Sequence, residues 1–128
     1  MRTNHFLALI SCSCLFLGCA TVSKQDIAKA HFEPLPPNYQ QMVKDCMKEV
    51  LVRPDTAIYR FETPRRGYDQ AGLLAGGRKR FGWIVPVWVK AKNALGIYLP
   101  ERKHYIFIGE GLVTDCTDVF GQMTNFVE

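Results

Sequence analysis

Three patterns in the sequence predict an α+β domain in which one N-terminal amphipathic helix packs on a three- to four-stranded antiparallel β-sheet, preceded by a cleaved signal peptide and a proline-rich tether. A 3.6-residue apolar period runs from Tyr39 to Leu51. Two-residue alternation replaces it in three later stretches, and an uncharged apolar run occupies the N-terminus. The boundaries that follow are residues 1–18 for the signal peptide, 19–37 for the tether and 38–128 for a single folded domain. What remains after the presequence is long enough for one domain and too short for two.

The N-terminus carries Arg2 and His5 and no acid before Asp26. From Phe6 to Leu17 there is no charge, and Gly18, Cys19 and Ala20 close the run with small residues. This is the layout of a secretory h-region. A membrane-crossing helix needs roughly 20 apolar residues, whereas this run covers only about 18 Å at 1.5 Å per residue, so it targets the chain rather than spanning a bilayer. Thr21 to Pro37 begins polar and ends Glu33-Pro34-Leu35-Pro36-Pro37. Those prolines favour an extended spacer. Val22 to His31 has room for a helical turn or two, and the whole segment reads as a tether.

Asn38 can cap the helix. Its apolar positions Tyr39, Met42, Val43, Cys46, Val50 and Leu51 fall on one face, with Gln40, Gln41, Lys44, Asp45, Lys48 and Glu49 elsewhere, and Pro54 forces the chain out of helix. Ala57, Tyr59 and Phe61 then alternate with Ile58, Arg60 and Glu62 as a first strand. Phe81 to Ala91 repeats the pattern, with Trp83, Val85, Val87 and Val89 on one side. Pro86 within it cannot donate to a ladder, so the strand is expected to be an edge or to bulge there. His104 to Ile108 is a third strand, turning at Gly109-Glu110-Gly111 into Leu112 and Val113. Two long loops remain, Thr63 to Lys79 and Asn93 to Lys103, and the tail from Thr114 onward carries no clear pattern.

Chemistry is sparse. His31 and His104 are the only histidines beyond the presequence, so no pair exists at metal-ligand spacing and neither a metal nor a cofactor is expected. Ser23 is the single serine there and lies in the tether, which excludes serine-hydrolase chemistry. Gly72 to Arg80 lacks the Gly-Lys-Ser/Thr of a phosphate loop. Cys116 with His104 and Asp115 or Asp118 is the one arrangement from which a thiol enzyme can be drawn. No catalytic residue is assigned, and the chain is expected not to be an enzyme. In an oxidising compartment Cys46 and Cys116 are a disulfide candidate. The alternative makes Cys46 a small core residue and Cys116 a free thiol.

Charge carries more content. Against a formal net charge of +4, ten bases and three acids lie between Arg60 and Lys103, while Gly109 to the end holds four acids and no base. Arg65, Arg66, Arg78, Lys79 and Arg80, with Trp88 and Tyr98, are therefore the candidate binding residues, suited to an anionic glycan, lipopolysaccharide phosphates or an acidic protein face. The competing reading is that these bases pair with the acidic tail inside the fold. Nucleic acid suits the charge and not the compartment.

Two resemblances add to this. Leu15-Phe16-Leu17-Gly18-Cys19-Ala20 resembles the lipobox of bacterial lipoproteins, with Phe16 where an aliphatic residue is usual. Leu9-Ile10-Ser11-Cys12 also fits, but leaves too short an apolar run, so Cys19 is preferred. The resemblance implies acylation of Cys19, a membrane contact through that lipid anchor, and, with Ala20 following, an outer-membrane position with the domain facing the periplasm. From Arg53-Pro54-Asp55-Thr56-Ala57-Ile58-Tyr59-Arg60-Phe61 through Gly82-Trp83-Ile84-Val85-Pro86-Val87-Trp88-Val89-Lys90-Ala91-Lys92-Asn93 to Gly96-Ile97-Tyr98, the chain resembles a family of small, uncharacterised proteobacterial lipoproteins with a DP-S-A-x-Y-x-F … GW-x-V-x-V-x-V-N-A-K-N-x-x-G-G-Y pattern. Arg53, Thr56, Lys90 and Ile97 depart from it. The likeness, covering Tyr39 to Val113, implies an outer-membrane lipoprotein and a shared α+β fold, and no activity. The expected function is a non-enzymatic envelope module contacting a partner protein or an anionic envelope component, or else an accessory subunit of an outer-membrane assembly or secretion machine.

Overall fold

The computed structural model describes residues 22–72 and 76–127. The apolar run, both lipobox-like endings and Cys19 lie outside the described residues. In chain order the elements are α1 Lys24–Lys29, α2 Tyr39–Lys48, β1 Arg53–Phe61, β2 Arg65–Gln70, β3 Lys79–Lys92, β4 Arg102–Gly109, β5 Leu112–Asp115, a 3-10 turn at Thr117–Val119, and β6 Thr124–Phe126. Strand accounts for 45% of the described residues and helix for 18%. The expected single helix on three or four strands is therefore corrected to a mostly β architecture, a six-stranded antiparallel sheet with two helices.

The sheet is organised around β3. β4 pairs with it on one side, Trp83 opposite Ile108 through Val89 opposite Arg102, and β5 lies beyond β4. On the other side β1 takes the C-terminal half of β3 and β2 the N-terminal half, with β6 outside β2. β1 and β2 are thus one interrupted strand. Phe61 faces Val87 and Arg65 faces Ile84, so four residue steps oppose three and an extra residue bulges at Glu62–Pro64.

Pro86 sits opposite that interruption. The strand is central rather than an edge, and the bulge is on the neighbouring strand. Glu62 N–H donates to the Pro86 carbonyl at 2.9 Å, and in extended chain the N–H and C=O of one residue point the same way. The hydrogen that Pro86 lacks would therefore have pointed at the break between β1 and β2, where little pairing is lost.

β2 and β6 occupy stretches expected to be loop and tail. Arg65–Gln70 shows no apolar alternation because its inward positions are Gly67 and Asp69. Gly67, Gly82 and Gly109 form a row across three strands that leaves no room for a Cβ. At Gly82 it would stand 2.3 Å from the Ile108 carbonyl oxygen, and at Gly67 2.2 Å from the Ile84 side chain. Asp69 is buried but satisfied, ion-paired to Arg80 and accepting from Thr124 Oγ1 at 2.8 Å.

Each face of the sheet has its own core. Val43 and Met47 of α2 pack on Val85, Val87, Val89, Ile106 and Ile108. On the opposite face Ile84, Phe107 and Cys116 are covered by Val119, Phe120 and Phe126 of the tail. Tyr105 and Phe120 stack there at 3.7 Å between ring centroids. The helix face is shifted from expectation: Met47 is fully buried whereas Val50 is 48% exposed, because α2 stops at Lys48 before Val50 can turn inward.

The described part of the expected tether is docked on the sheet. Ser23 caps α1 in a reciprocal box with Asp26. Asp26 meets Lys79 at 3.3 Å, and the Phe32 and Phe81 rings meet edge to face at 5.8 Å. Trp83 Nε1 donates to the Glu33 carbonyl at 2.8 Å, with the Arg66 guanidinium over both Phe32 and Trp83. Residues 22–37 are thus a strap against the β2 and β3 end.

Candidate functional site

The opposite end of the sheet, where α2 runs into β1 and β3 turns into β4, holds the candidate site. Asn93 builds the turn. Its side chain accepts from the Leu95 and Ile97 amides, each at 3.0 Å, and its own N–H donates to the Ile97 carbonyl at 2.9 Å. Gly96 supplies the left-handed φ of +79° that closes it. Leu99 N–H then donates to Ala91, while Tyr98 donates its hydroxyl to the Thr56 carbonyl at 3.3 Å. Thr56 Oγ1 in turn accepts from Lys92 N–H at 2.9 Å.

This braced turn presents apolar side chains to water. Leu95 is 82% exposed and Val52 71%, and Val50, Ile58, Ile97, Tyr98 and Leu99 are exposed beside them. These seven are all the exposed large hydrophobic residues among the described ones, and all fall within 50–58 and 95–99. A cleft of about 230 Å³ opens between the two connections, walled by Val50, Val52 and Leu99, with Lys92, Arg102 and His104 supplying its basic and imidazole groups and no carboxylate in its lining. Lys90 and Lys92 lie over the Tyr98 ring at 5.4 and 5.1 Å.

His104 is the buried polar residue of the cleft. Its Nδ1 is 2.9 Å from Asp115 Oδ2, and Asp115 Oδ1 accepts from the Thr117 N–H at 2.9 Å and from the Thr117 hydroxyl. Burial pushes the Asp115 carboxyl up, but the hydrogen bonds from His104 and Thr117 outweigh it and hold the group below its ordinary value. Cys46, on α2 above this pair, has its thiol raised by burial and by the Asp115 charge.

The two cysteines among the described residues, Cys46 and Cys116, are free and lie in different layers. Cys46 packs with the α2 cluster, and Cys116 sits with Ile84 and Phe107 on the other face, its thiol 3.5 Å from Asp69 Oδ1. The disulfide is not formed, because the sheet stands between the two. The same separation keeps Cys116 from the His104–Asp115 pair, and burial pushes its thiol up to about 11, far from a nucleophile's range.

The expected basic residues are not gathered into one patch. Arg65 lies over Phe126, Arg66 over Phe32 and Trp83, Arg78 pairs with Glu110, Lys79 with Asp26, and Arg80 with Asp69. Trp88 donates Nε1–H to Glu62 and has Arg60 and Lys103 over its ring, on the face away from α2. Of the seven, only Tyr98 belongs to the apolar end. What the sequence reading missed is Val50, Val52, Leu95, Ile97 and Leu99. The available signal was Leu95-Gly96-Ile97-Tyr98-Leu99, five residues without charge inside the expected loop Asn93 to Lys103.

Among the described residues no group of three His, Cys, Asp or Glu side chains stands close enough to hold a metal ion, and no helix is long and apolar enough to cross a membrane. No protein-family model, curated protein or solved structure matches the chain.

Proposed function

We propose that this chain is an outer-membrane lipoprotein, anchored through Cys19 and facing the periplasm, whose domain is a non-enzymatic module that binds a partner protein through its apolar end. The observation that carries the partner-binding reading is the confinement of every exposed large hydrophobic side chain among the described residues to that one end. Contiguous exposed apolar surface of this kind marks an interaction site, and the hydrogen-bonded turn beneath it spends backbone order on displaying Leu95 and Ile97 rather than hiding them.

The position of the strap supports the orientation. Asp26 meets Lys79 at the start of β3, and β3 runs from Lys79 to Lys92, about 43 Å at 3.3 Å per residue. Cys19 lies five residues before Lys24, within about 18 Å of it even fully extended. An anchor there places the apolar end away from the bilayer, toward a protein partner of the kind found in envelope assembly or secretion machines.

Replacing Leu95, Ile97 and Leu99 together by Ser is expected to leave the fold intact and to abolish photo-crosslinking from a probe residue at Val52 to its envelope partner. Crosslinks to lipopolysaccharide or glycan instead of protein would move the reading to an anionic envelope component. Unchanged protein crosslinking in the triple variant would overturn it. Labelled palmitate is expected in the wild type and absent from Cys19→Ala. Failure to incorporate it would remove the anchor and leave the apolar end unaffected.

A further inference from the structure

The two halves of one side of β3 are guarded differently. Along its N-terminal half, β2 is covered by β6, which pairs Gly67–Asp69 with Phe126–Thr124 and reaches Arg66 through the Val127 N–H. Along its C-terminal half, β1 pairs only with β3. The Glu62 N–H points at β3, so the two-residue alternation of a strand turns Arg60 and Ile58 to β3 as well. The amides and carbonyls of Tyr59 and Phe61 then point outward, and among the described residues no backbone group receives them.

Such an edge is a template for another strand, and folded proteins ordinarily blunt it with Lys, Pro or a covering element. β1 has Pro54 at its start, and between Ile58 and Phe61 its one charged residue, Arg60, is drawn onto Glu101 and the Trp88 ring, with no Lys or Pro there. Its flanks are specific instead. On the face away from α2, Ile58 is 56% exposed next to the edge and pairs with Lys90, whose ammonium lies over the Tyr98 ring. On the α2 face, Lys44 stands 5.7 Å above the Tyr59 ring with no carboxylate partner among the described residues. An added strand would meet Ile58, beside the Glu101-paired Arg60, on one side and the Lys44 cation on the other.

We infer that the outer edge of β1 is a strand-addition site for an extended segment of a partner protein that alternates apolar and acidic residues, the acids facing Lys44 and the apolar side chains facing Ile58. This rests on the partner-binding reading above and specifies how the partner engages.

The test uses the mature chain with a capped ten-residue peptide alternating valine and glutamate, and amide-resolved exchange by NMR. The Tyr59 and Phe61 amides are expected to exchange freely without peptide and to slow about tenfold with it, while Ile58 and Arg60, already in the ladder, stay constant. A valine and lysine peptide is expected to have no effect. Tyr59→Pro removes an outward donor without touching the β3 ladder and is expected to abolish the protection. Because Tyr59 also packs beneath α2, Ile58→Glu is the second variant, expected to weaken peptide binding with the thermal midpoint unchanged. Tyr59 and Phe61 amides unaffected by millimolar peptide, or protected beforehand in the monomer, would overturn the inference. Protection that rises with protein concentration alone would also overturn it, assigning the edge to a second copy. If the Ser triple variant loses its partner while Tyr59→Pro keeps it, strand addition fails and the apolar-end reading stands.

Discussion

Alanine substitutions along the glycines test the close backbone approach between β3 and β4. A Cβ at Gly82 would lie 2.3 Å from the Ile108 carbonyl oxygen and 2.8 Å from the Gly109 Cα, so two strands must separate by about an ångström before it fits. Overpacking of this kind costs about 1–3 kcal/mol, and backbone yields less readily than a side-chain tip, which puts Gly82→Ala at the upper end. At Gly67 the nearest obstacle is the Ile84 side chain at 2.2 Å rather than backbone, with the Asn125 carbonyl of the edge strand β6 at 2.8 Å, so its cost is expected to be smaller. Gly72 has nothing within 4 Å and no left-handed φ, and alanine there stabilises by about 0.4–1 kcal/mol through the unfolded chain. Urea unfolding of the three variants at constant m-value should therefore rank Gly82→Ala below Gly67→Ala below Gly72→Ala, with Tm lower by roughly 10 °C for a 2 kcal/mol loss in a domain of this size. A Gly82→Ala protein within about 0.5 kcal/mol of wild type would refute the close approach of β3 and β4.

Met47→Ala removes a fully buried side chain and is expected to cost about 2–5 kcal/mol, whereas Val50→Ala should stay within about 0.5 kcal/mol; equal urea midpoints would show that the helix face is misassigned. With its thiol near 11, Cys116 carries roughly a thousandth of its thiolate at about pH 8, so a thiol reagent should label it only after unfolding. Recovery of a Cys46–Cys116 peptide from the non-reduced domain would contradict the two-layer arrangement. The folded Asp115 carboxyl titrates below its unfolded value, so its stabilisation is complete above the ordinary carboxyl pKa of about 3.9 and is lost as pH falls through the lower folded one. Asp115→Asn should consequently be less stable than wild type at about pH 5 and converge with it toward about pH 2; a constant gap would sever the link to ionisation.

Where burial wrote itself into side chains, the sequence was readable. Val85, Val87 and Val89 against Ile106 and Ile108 announce two strands, and Val43 announces the helix above them. β2 was not readable because its inward positions are a glycine with no side chain and an aspartate whose burial is compensated by Arg80 and Thr124, partners 11 and 55 residues away. The strap was hidden for a related reason: Phe32 is the only aromatic residue in it, and its partners Phe81 and Arg66 come from distant strands. At the apolar end, Leu95 to Leu99 was visible as composition, but its meaning depended on Val50 and Val52 arriving from another connection. Exposure is a property of the assembled surface, and no local period encodes it.

The break at Glu62–Pro64 divides the sheet into two portions that share only the β3 and β4 pair. One is fastened by β6 and the strap, and in the other β1 has a single backbone ladder, held besides by side-chain contacts to α2, Lys92 and Tyr98. Local opening follows the weakest fastening, so the β1 portion should breathe without disturbing the rest. A domain built this way keeps its shape at one end while the other stays compliant.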